Sequence, residues 1–284
     1  MNRVKNFVDS GPILYIVATP IGNLQEMSPR AIEVLNSVAI IGCEDTRNSR
    51  QLFEHFQIKK PLYSCHEHNE EVSSNYLLNY LKEGHDVAYV SDAGYPGISD
   101  PGHRLIVNAL DANYKVSVIS GSNALLNALI GSGLESDHFY FHGFLPSKKT
   151  LRIKELEELS SKKETMIFYE SPHRIIETLK DMLSVLGNRK CCIARELTKK
   201  FEEYIRSDLE SLVSLSKDDL KGEMVLVIEG SKKPKIVLDD NMILTTYQNY
   251  LSQGMSSKDA IKEISESLNV NKNYVYKLII NNKI

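Results

Sequence analysis

The chain begins with a rhythm of short apolar runs separated by amphipathic stretches. Residues 13–19 are almost continuously apolar and β-branched, and the run stops at Pro20 and Gly22, as a strand does when it feeds a loop. Ser28 and Pro29 then open a helix as N-cap and first-turn residue, with Ile32, Leu35 and Val38 on one face. The cycle repeats with strands over 38–43, 62–65, 86–91 and 115–119. Helices are expected over 48–56, 70–82 and from the end of loop 92–102 to about 113. This alternation predicts a mostly parallel sheet with helices on both faces.

Past residue 139 the pattern changes. Strands are expected over 139–144, 165–170, 191–196, 201–207 and 223–229, with helices over 148–161, 173–186 and 209–216. The link between 191–196 and 201–207 is too short for a crossover, so these two strands should pair antiparallel in a mixed sheet. The expected organisation is therefore an α/β domain over 1–121 and an α+β domain over 122–231. A linker and helical tail follow over 232–284. In the tail, 231–240 is charged and carries Pro234, 240–253 is helical, and 256–268 and 271–280 form two short helices. Ser257 with Ala260, Ile261 and Ile264 marks a capped amphipathic start. The spacing suits a helix-turn-helix, and equally a small helical bundle that packs on the body or on a partner.

Composition narrows the class. Of 284 residues 42% are hydrophobic and 25% charged, values of an ordinary globular protein long enough to bury a core without staples. The longest apolar runs, 13–18 and 224–228, are strand-length and far short of a membrane span. With no apolar stretch after Arg3 and Lys5, a cytoplasmic protein is expected. The four cysteines form no C-x-x-C pair, and neighbouring Cys191 and Cys192 should point to opposite faces of a strand. Cys65, His66 and His68 resemble a ligand cluster that nothing nearby completes, so no metal is expected. Net charge is −3, yet eight lysines face five acids from Ser231 onward. Further basic clusters lie at 148–154, 162–163, 189–190 and 199–200; gathered beside one cleft they would attract phosphate. An acidic or closed cleft mouth would argue against RNA. Dinucleotide, P-loop and nucleophile-elbow fingerprints are missing.

Four loops follow strands, where ligands of open α/β sheets bind: 19–24, 44–47, 91–102 and 120–124. Each combines glycine or proline with small polar residues, which lets exposed N–H groups approach a ligand closely. The third has three glycines, two prolines and two aspartates in twelve residues, more than an ordinary turn requires.

The stretches LYIVATPIGNLQEMSPRAIEVL, GCEDTRNSRQLF, VSDAGYPGISDPG, FYESPHRI and ARELTKKFEE occur in this order. Together they resemble the tetrapyrrole-methylase superfamily, and within it the branch that methylates cytidine 2′-oxygens of 16S ribosomal RNA. The resemblance covers about Leu14 to Gly230, and the basic helical tail matches an extra domain of that branch. One departure is Ser120-Gly121-Ser122, where many members carry a Pro-Gly-Pro-like turn.

The resemblance implies a homodimer of two-domain subunits with S-adenosylmethionine in the cleft between domains, acting on 16S rRNA or the small ribosomal subunit. It places cofactor contacts at Pro20, Tyr95, Ile98, Ser122, Asn123, Ala124, Tyr169 and Met224, mostly through backbone or apolar groups. Methyl transfer to a ribose hydroxyl needs in-line alignment and a positioned acceptor. Among the strand-end carboxylates Glu44, Asp45, Asp100, Glu170 and Glu196, Asp45 and Glu170 are expected to contact the nucleophile. Arg47, Arg174 and Arg195 are expected to grip phosphates. Asp100 equally suits a helix cap, and Glu44–Arg47 or Arg195–Glu196 equally suit structural ion pairs. The superfamily also holds corrin-ring C-methyltransferases and diphthine synthases, and a DNA-binding regulator is a reading of another class.

Overall fold

A computed structural model describes residues 4–66, 69–216, 220–232, 240–267, 270 and 272–282. The chain forms two compact units, Met1–Gly230 and Ser231–Ile284.

In the first unit the expected rhythm builds a five-stranded parallel sheet. Its strands are β1 (Ile13–Val17), β2 (Ile40–Cys43), β3 (Leu62–Ser64), β4 (Val87–Val90) and β5 (Lys115–Ile119), in the order β3-β2-β4-β1-β5. The three middle strands are buried at every position, which is why they read as unbroken apolar runs rather than alternating ones. Helices α1 (Pro29–Ser37) and α2 (Thr46–His55) cover one face through Ala31, Leu35 and Phe53. Helices α3 (Glu70–Lys82) and α4 (His103–Asp111) cover the other through Leu77, Leu81, Leu105 and Ala109. Ser28 caps α1 as expected, its Oγ accepting from Ala31 N–H at 3.1 Å, an interaction worth about 1 kcal/mol.

Helix α5 (Ala124–Ser132) follows β5, and a second sheet comes after it. That sheet comprises β6 (Phe139–Phe144), β7 (Thr165–Glu170), β8 (Lys190–Arg195), β9 (Glu203–Asp208) and β10 (Met224–Ile228), ordered β6-β7-β10-β8-β9. Only β6 and β7 run parallel; β8 and β9 form the antiparallel pair their short link demands. Strand β9 starts two residues later than expected, leaving Phe201 exposed in the turn. Helix α5 packs its Leu125 and Leu129 on Ile167, Ala194 and Val225. The opposite face carries α6 (Lys149–Leu159), α7 (Ile175–Leu186) and α8, which spans only Leu209–Leu212. Cys191 and Cys192 do fall on opposite faces, each in a different core cluster.

The second unit comprises α9 (Asp240–Ser252), α10 (Ser257–Ser267) and α11 (Lys272–Asn281). All three share one core of Ile243, Tyr247, Ile261, Ile264, Val275 and Ile279 and so form a small three-helix bundle. The cap of α10 is Ser256 rather than Ser257: its Oγ accepts from Asp259 N–H at 3.2 Å and donates to the Asp259 carboxylate at 2.6 Å. Residues 233–239 of the expected linker, and 268, 269 and 271 around the expected turn, lie outside the described residues. Among the described residues no helix is long and apolar enough to cross a membrane.

Candidate active site

The loops after β1, β2, β4 and β5 leave the carboxyl edge of the parallel sheet and are tied to each other. Thr19 N–H donates to Gly94 O at 2.9 Å and Gly94 N–H returns to Thr19 O at 3.1 Å, with Gly94 at φ +73° where a side chain would be strained. The Tyr95 hydroxyl accepts from Gly121 N–H at 3.1 Å, which pins the 120–122 turn. Asn123 caps α5, its Oδ1 accepting from Leu126 N–H at 3.1 Å. Across from these loops, β6 bulges at Gly143 (φ +82°). A Cβ there would sit 3.3 Å from Ser99 Oγ, so glycine lets the second sheet close over loop 91–102.

Between the parallel sheet's loops and the second sheet lies a cleft of about 640 Å³, of the size that takes a cofactor. Ile21, Tyr95, Ile98, Phe144, Tyr169, Leu197, Met224 and Val225 give it an apolar wall. Its charged lining is all acidic: Glu44, Asp92, Asp100, Glu170 and Glu223. Six of the eight residues expected at the cofactor, Tyr95, Ile98, Asn123, Ala124, Tyr169 and Met224, line this cleft. Pro20 is buried behind Ile21, and Ser122 turns away to donate to Glu26 Oε2 at 2.5 Å. Neither lines the cleft. Phe144 and Gly222 were not singled out from the sequence, and Asp92 entered only as one of the two aspartates of loop 91–102. Phe144 and Asp92 carry the signal used for the others, a position at or just after a strand's carboxyl end.

The carboxylates expected at the nucleophile are committed elsewhere. Asp45 caps α2, accepting from Arg47 N–H at 2.8 Å and from the Arg47 guanidinium at 3.1 and 2.6 Å. These donors pull its pKa down to about 2, and it does not line the cleft. Glu170 lines the cleft with its backbone, but its carboxylate is buried toward α7. Oε1 accepts from Arg174 Nε and Nη2 at 3.0 and 2.8 Å and from Ser171 N–H at 2.7 Å; Oε2 accepts from Thr178 Oγ1 at 2.6 Å. At 1% side-chain exposure this carboxylate is out of reach of a substrate hydroxyl. The arginines expected to grip phosphates are likewise paired within the chain. Arg174 holds Glu170, and Arg195 pairs with Glu203 at 2.5 Å and donates to Lys221 O, away from the cleft. Glu196 pairs with Lys199 rather than Arg195, and Arg47 pairs with Asp45 rather than Glu44.

The basic clusters do not gather at the cleft either. Lys199 is held by Glu196 and Glu223, Arg189 donates to backbone carbonyls, and Arg152 is buried against Asp181 at 2.7 Å. The Cys65–His66 pair gains no metal partner among the described residues, and His68 lies outside them.

Asp100 is different. The cap it was offered for is not made: Gly102 precedes α4, and the Glu70 carboxylate accepts from Gly102 and Arg104 N–H at 3.1 and 3.3 Å instead. Asp100 faces the cleft half-buried, where burial and the charges of Glu44 and Asp92 push its pKa up to about 6. Its charge in turn adds to burial in lifting the Tyr169 hydroxyl to about 12. Glu44 is raised by burial and then by Asp92. Asp92 accepts from Asp45 N–H at 3.2 Å and Asn48 Nδ2 at 2.7 Å.

A parallel sheet facing a mixed sheet across a cofactor-sized cleft is the architecture of a class of corrin and porphyrin methylases. The structure of the methyltransferase CobJ matches with a TM-score of 0.58 at 18% identity, over 78% of this chain and 95% of that one. Uroporphyrin III C-methyl transferase from Thermus thermophilus matches with a TM-score of 0.55 at 16% identity, over 77% and 97%. At these identities the likeness is one of fold. The chain belongs to the Tetrapyrrole (Corrin/Porphyrin) Methylases family, whose model matches residues 13–213. Sequence relatives extend over nearly the whole chain. The ribosomal RNA small subunit methyltransferase I of Bacillus subtilis is 44% identical over 93% of this chain and 92% of its own. The protein of the same name from Haemophilus influenzae is 42% identical over 93% and 95%.

Proposed function

We propose that this protein methylates a ribose 2′-oxygen of a cytidine in the decoding region of 16S ribosomal RNA, with S-adenosylmethionine as donor. The observation that carries the reading is near full-length identity above 40% to ribosomal RNA methyltransferases, set against 14–18% to corrin and porphyrin enzymes that share only the fold. S-adenosylmethionine supplies an electrophilic methyl group on a sulfonium. The cleft suits it: an apolar wall for the adenosine, and the carboxylates of Glu44, Asp92 and Asp100 for the positive sulfur. Tyr95, Ile98, Asn123, Ala124, Tyr169 and Met224 would hold it. Pro20 and Ser122 would act from behind, stiffening the loops that make contact.

The chain's own task is alignment and proton transfer. Bound there, S-adenosylmethionine would supply the methyl group and leave as the thioether, while the chain's residues would align the ribose hydroxyl and take its proton. Asp100 fills that role, since it lines the cleft with its pKa raised to about 6, while the Asp45 carboxylate is held by Arg47 outside the cleft and that of Glu170 is buried against Arg174 and Thr178. The acidic lining counts against a phosphate entering the cleft, and this reading keeps phosphates outside: only a ribose hydroxyl has to enter. Exposed Leu126 and Ile130 on α5, with Val118 on edge strand β5, support a homodimer. The excess of lysine over acid from Ser231 onward supports RNA contact by the tail, and a ribosomal RNA substrate would be met in the cytoplasm.

The test is transfer of labelled methyl from S-adenosylmethionine to free 16S rRNA and to isolated small subunits, with the product mapped to the nucleotide. A protein that binds the cofactor yet labels neither substrate refutes the reading.

A further inference from the structure

A second concavity lies beside the cleft. One face of α2, presenting Thr46, Arg50, Phe53 and Glu54, forms a groove of about 520 Å³ with the segment that leads into β3, where Ile58 and Lys60 complete it. Phe53 and Ile58 are its buried floor, and Arg50 and Lys60 are the cations on its walls. Neither has a carboxylate within ion-pair range among the described residues, Glu54 included. This sets Arg50 apart. Among the described residues every other arginine has a carboxylate, a backbone carbonyl or an aromatic ring beside it. Two unpaired cations converging on one concavity leave an anion-sized demand unmet, and Glu54 alone cannot neutralise both.

Position says what kind of anion. Glu44 lines the cleft and Thr46 the near end of the groove, with one extended residue, about 7 Å of chain, between them, and Arg50 stands one helical turn, about 6 Å, further along α2. A polymer whose reactive ribose enters an acidic cleft must carry its phosphates over the rim. Arg47, 87% exposed at its side chain, stands on that rim at the start of α2. We infer that the Arg50–Lys60 groove binds a backbone phosphate of the RNA strand being methylated, within a few nucleotides of the reactive one. The inference rests on the RNA reading above. Arg50 supplies a forked donor and Lys60 a point charge, and neither reads sequence.

The experiment uses the full-length protein with Arg50→Ala/Lys60→Ala, the conservative Arg50→Lys/Lys60→Arg, and Lys59→Ala as an exposed neighbour outside the groove. Binding of a 16S rRNA fragment is followed by anisotropy from 50 to 200 mM salt, with S-adenosylmethionine affinity as the check on the cleft. Losing two phosphate contacts lowers the salt slope by about 1.4 to 1.8, so wild-type affinity falls about tenfold more than the variant's over this range. KM for small subunits rises about tenfold in the alanine pair, and the conservative pair and Lys59→Ala keep the wild-type slope. A slope and KM untouched by the alanine pair, in a protein that still methylates RNA, overturn the groove and leave the methylation reading standing. A wild type that transfers no methyl to RNA, but whose salt-dependent RNA binding is lost in the alanine pair, overturns that reading and keeps the groove.

Discussion

Asp100→Asn keeps the shape of the side chain and removes both its charge and its capacity to take a proton. The ordinary aspartate value of 3.8 and the raised value of about 6 differ by about two units, or about 3 kcal/mol of disfavoured ionisation. The carboxylate is only half-buried, so solvent screening reduces this to about 1–2 kcal/mol. The sign follows from linkage. The folded protein holds the Asp100 proton to higher pH than the unfolded chain does, so wild-type stability falls as pH rises from about 4 to about 6, and the full cost is carried at neutral pH. Asparagine escapes it. At pH 7 the variant should melt about 2–8 °C above wild type, and the gap should close as pH falls through 6 toward 4. Over the same range kcat/KM of wild type should climb as pH rises, on a limb centred near pH 6. Asp100→Asn should lose that limb and about 10²- to 10⁴-fold in rate while still binding S-adenosylmethionine. Calorimetric melts at pH 5 and 7 with a kcat/KM–pH profile decide it. A variant that keeps kcat within threefold, or that melts below wild type at pH 7, refutes Asp100 as the strained acceptor.

Glu170→Ala should act on stability, not chemistry. It strands the Arg174 guanidinium and the Thr178 hydroxyl, and urea unfolding should show a loss of about 3–5 kcal/mol; a loss under 1 kcal/mol would contradict the saturated geometry. Tyr95→Phe removes the acceptor for Gly121 N–H. It should cost about 1–3 kcal/mol, measured by denaturation, with weaker S-adenosylmethionine binding by calorimetry as the 120–122 turn loosens. All four thiols are buried and raised by burial, with Cys43 and Cys192 up to about 11. Alkylating reagent at neutral pH should therefore label none of them until denaturant is added, as mass spectrometry would show.

Much of this protein was legible before any coordinates. The parallel order of the first half followed from apolar runs punctuated by glycine and proline, because a strand buried on both faces needs every residue apolar. The antiparallel β8–β9 pair followed from a link too short to cross over. The four loops at the carboxyl edge were placed by the same local signals, and six of eight expected cofactor residues duly line one cleft. What failed was the assignment of charged partners. Sequence marks a carboxylate at a strand end without saying which donor reaches it. Asp45 is taken by the guanidinium two residues on, and Glu170 by a helix that folds back beneath it. Asp100 looked like a helix cap until Glu70, distant in sequence, took that task and the second sheet buried what remained. Hydrophobic periodicity is a property of neighbours along the chain, so the sequence carries it openly. The ionisation of a side chain depends on solvent exclusion and on charges brought from other elements, and only the tertiary structure decides those.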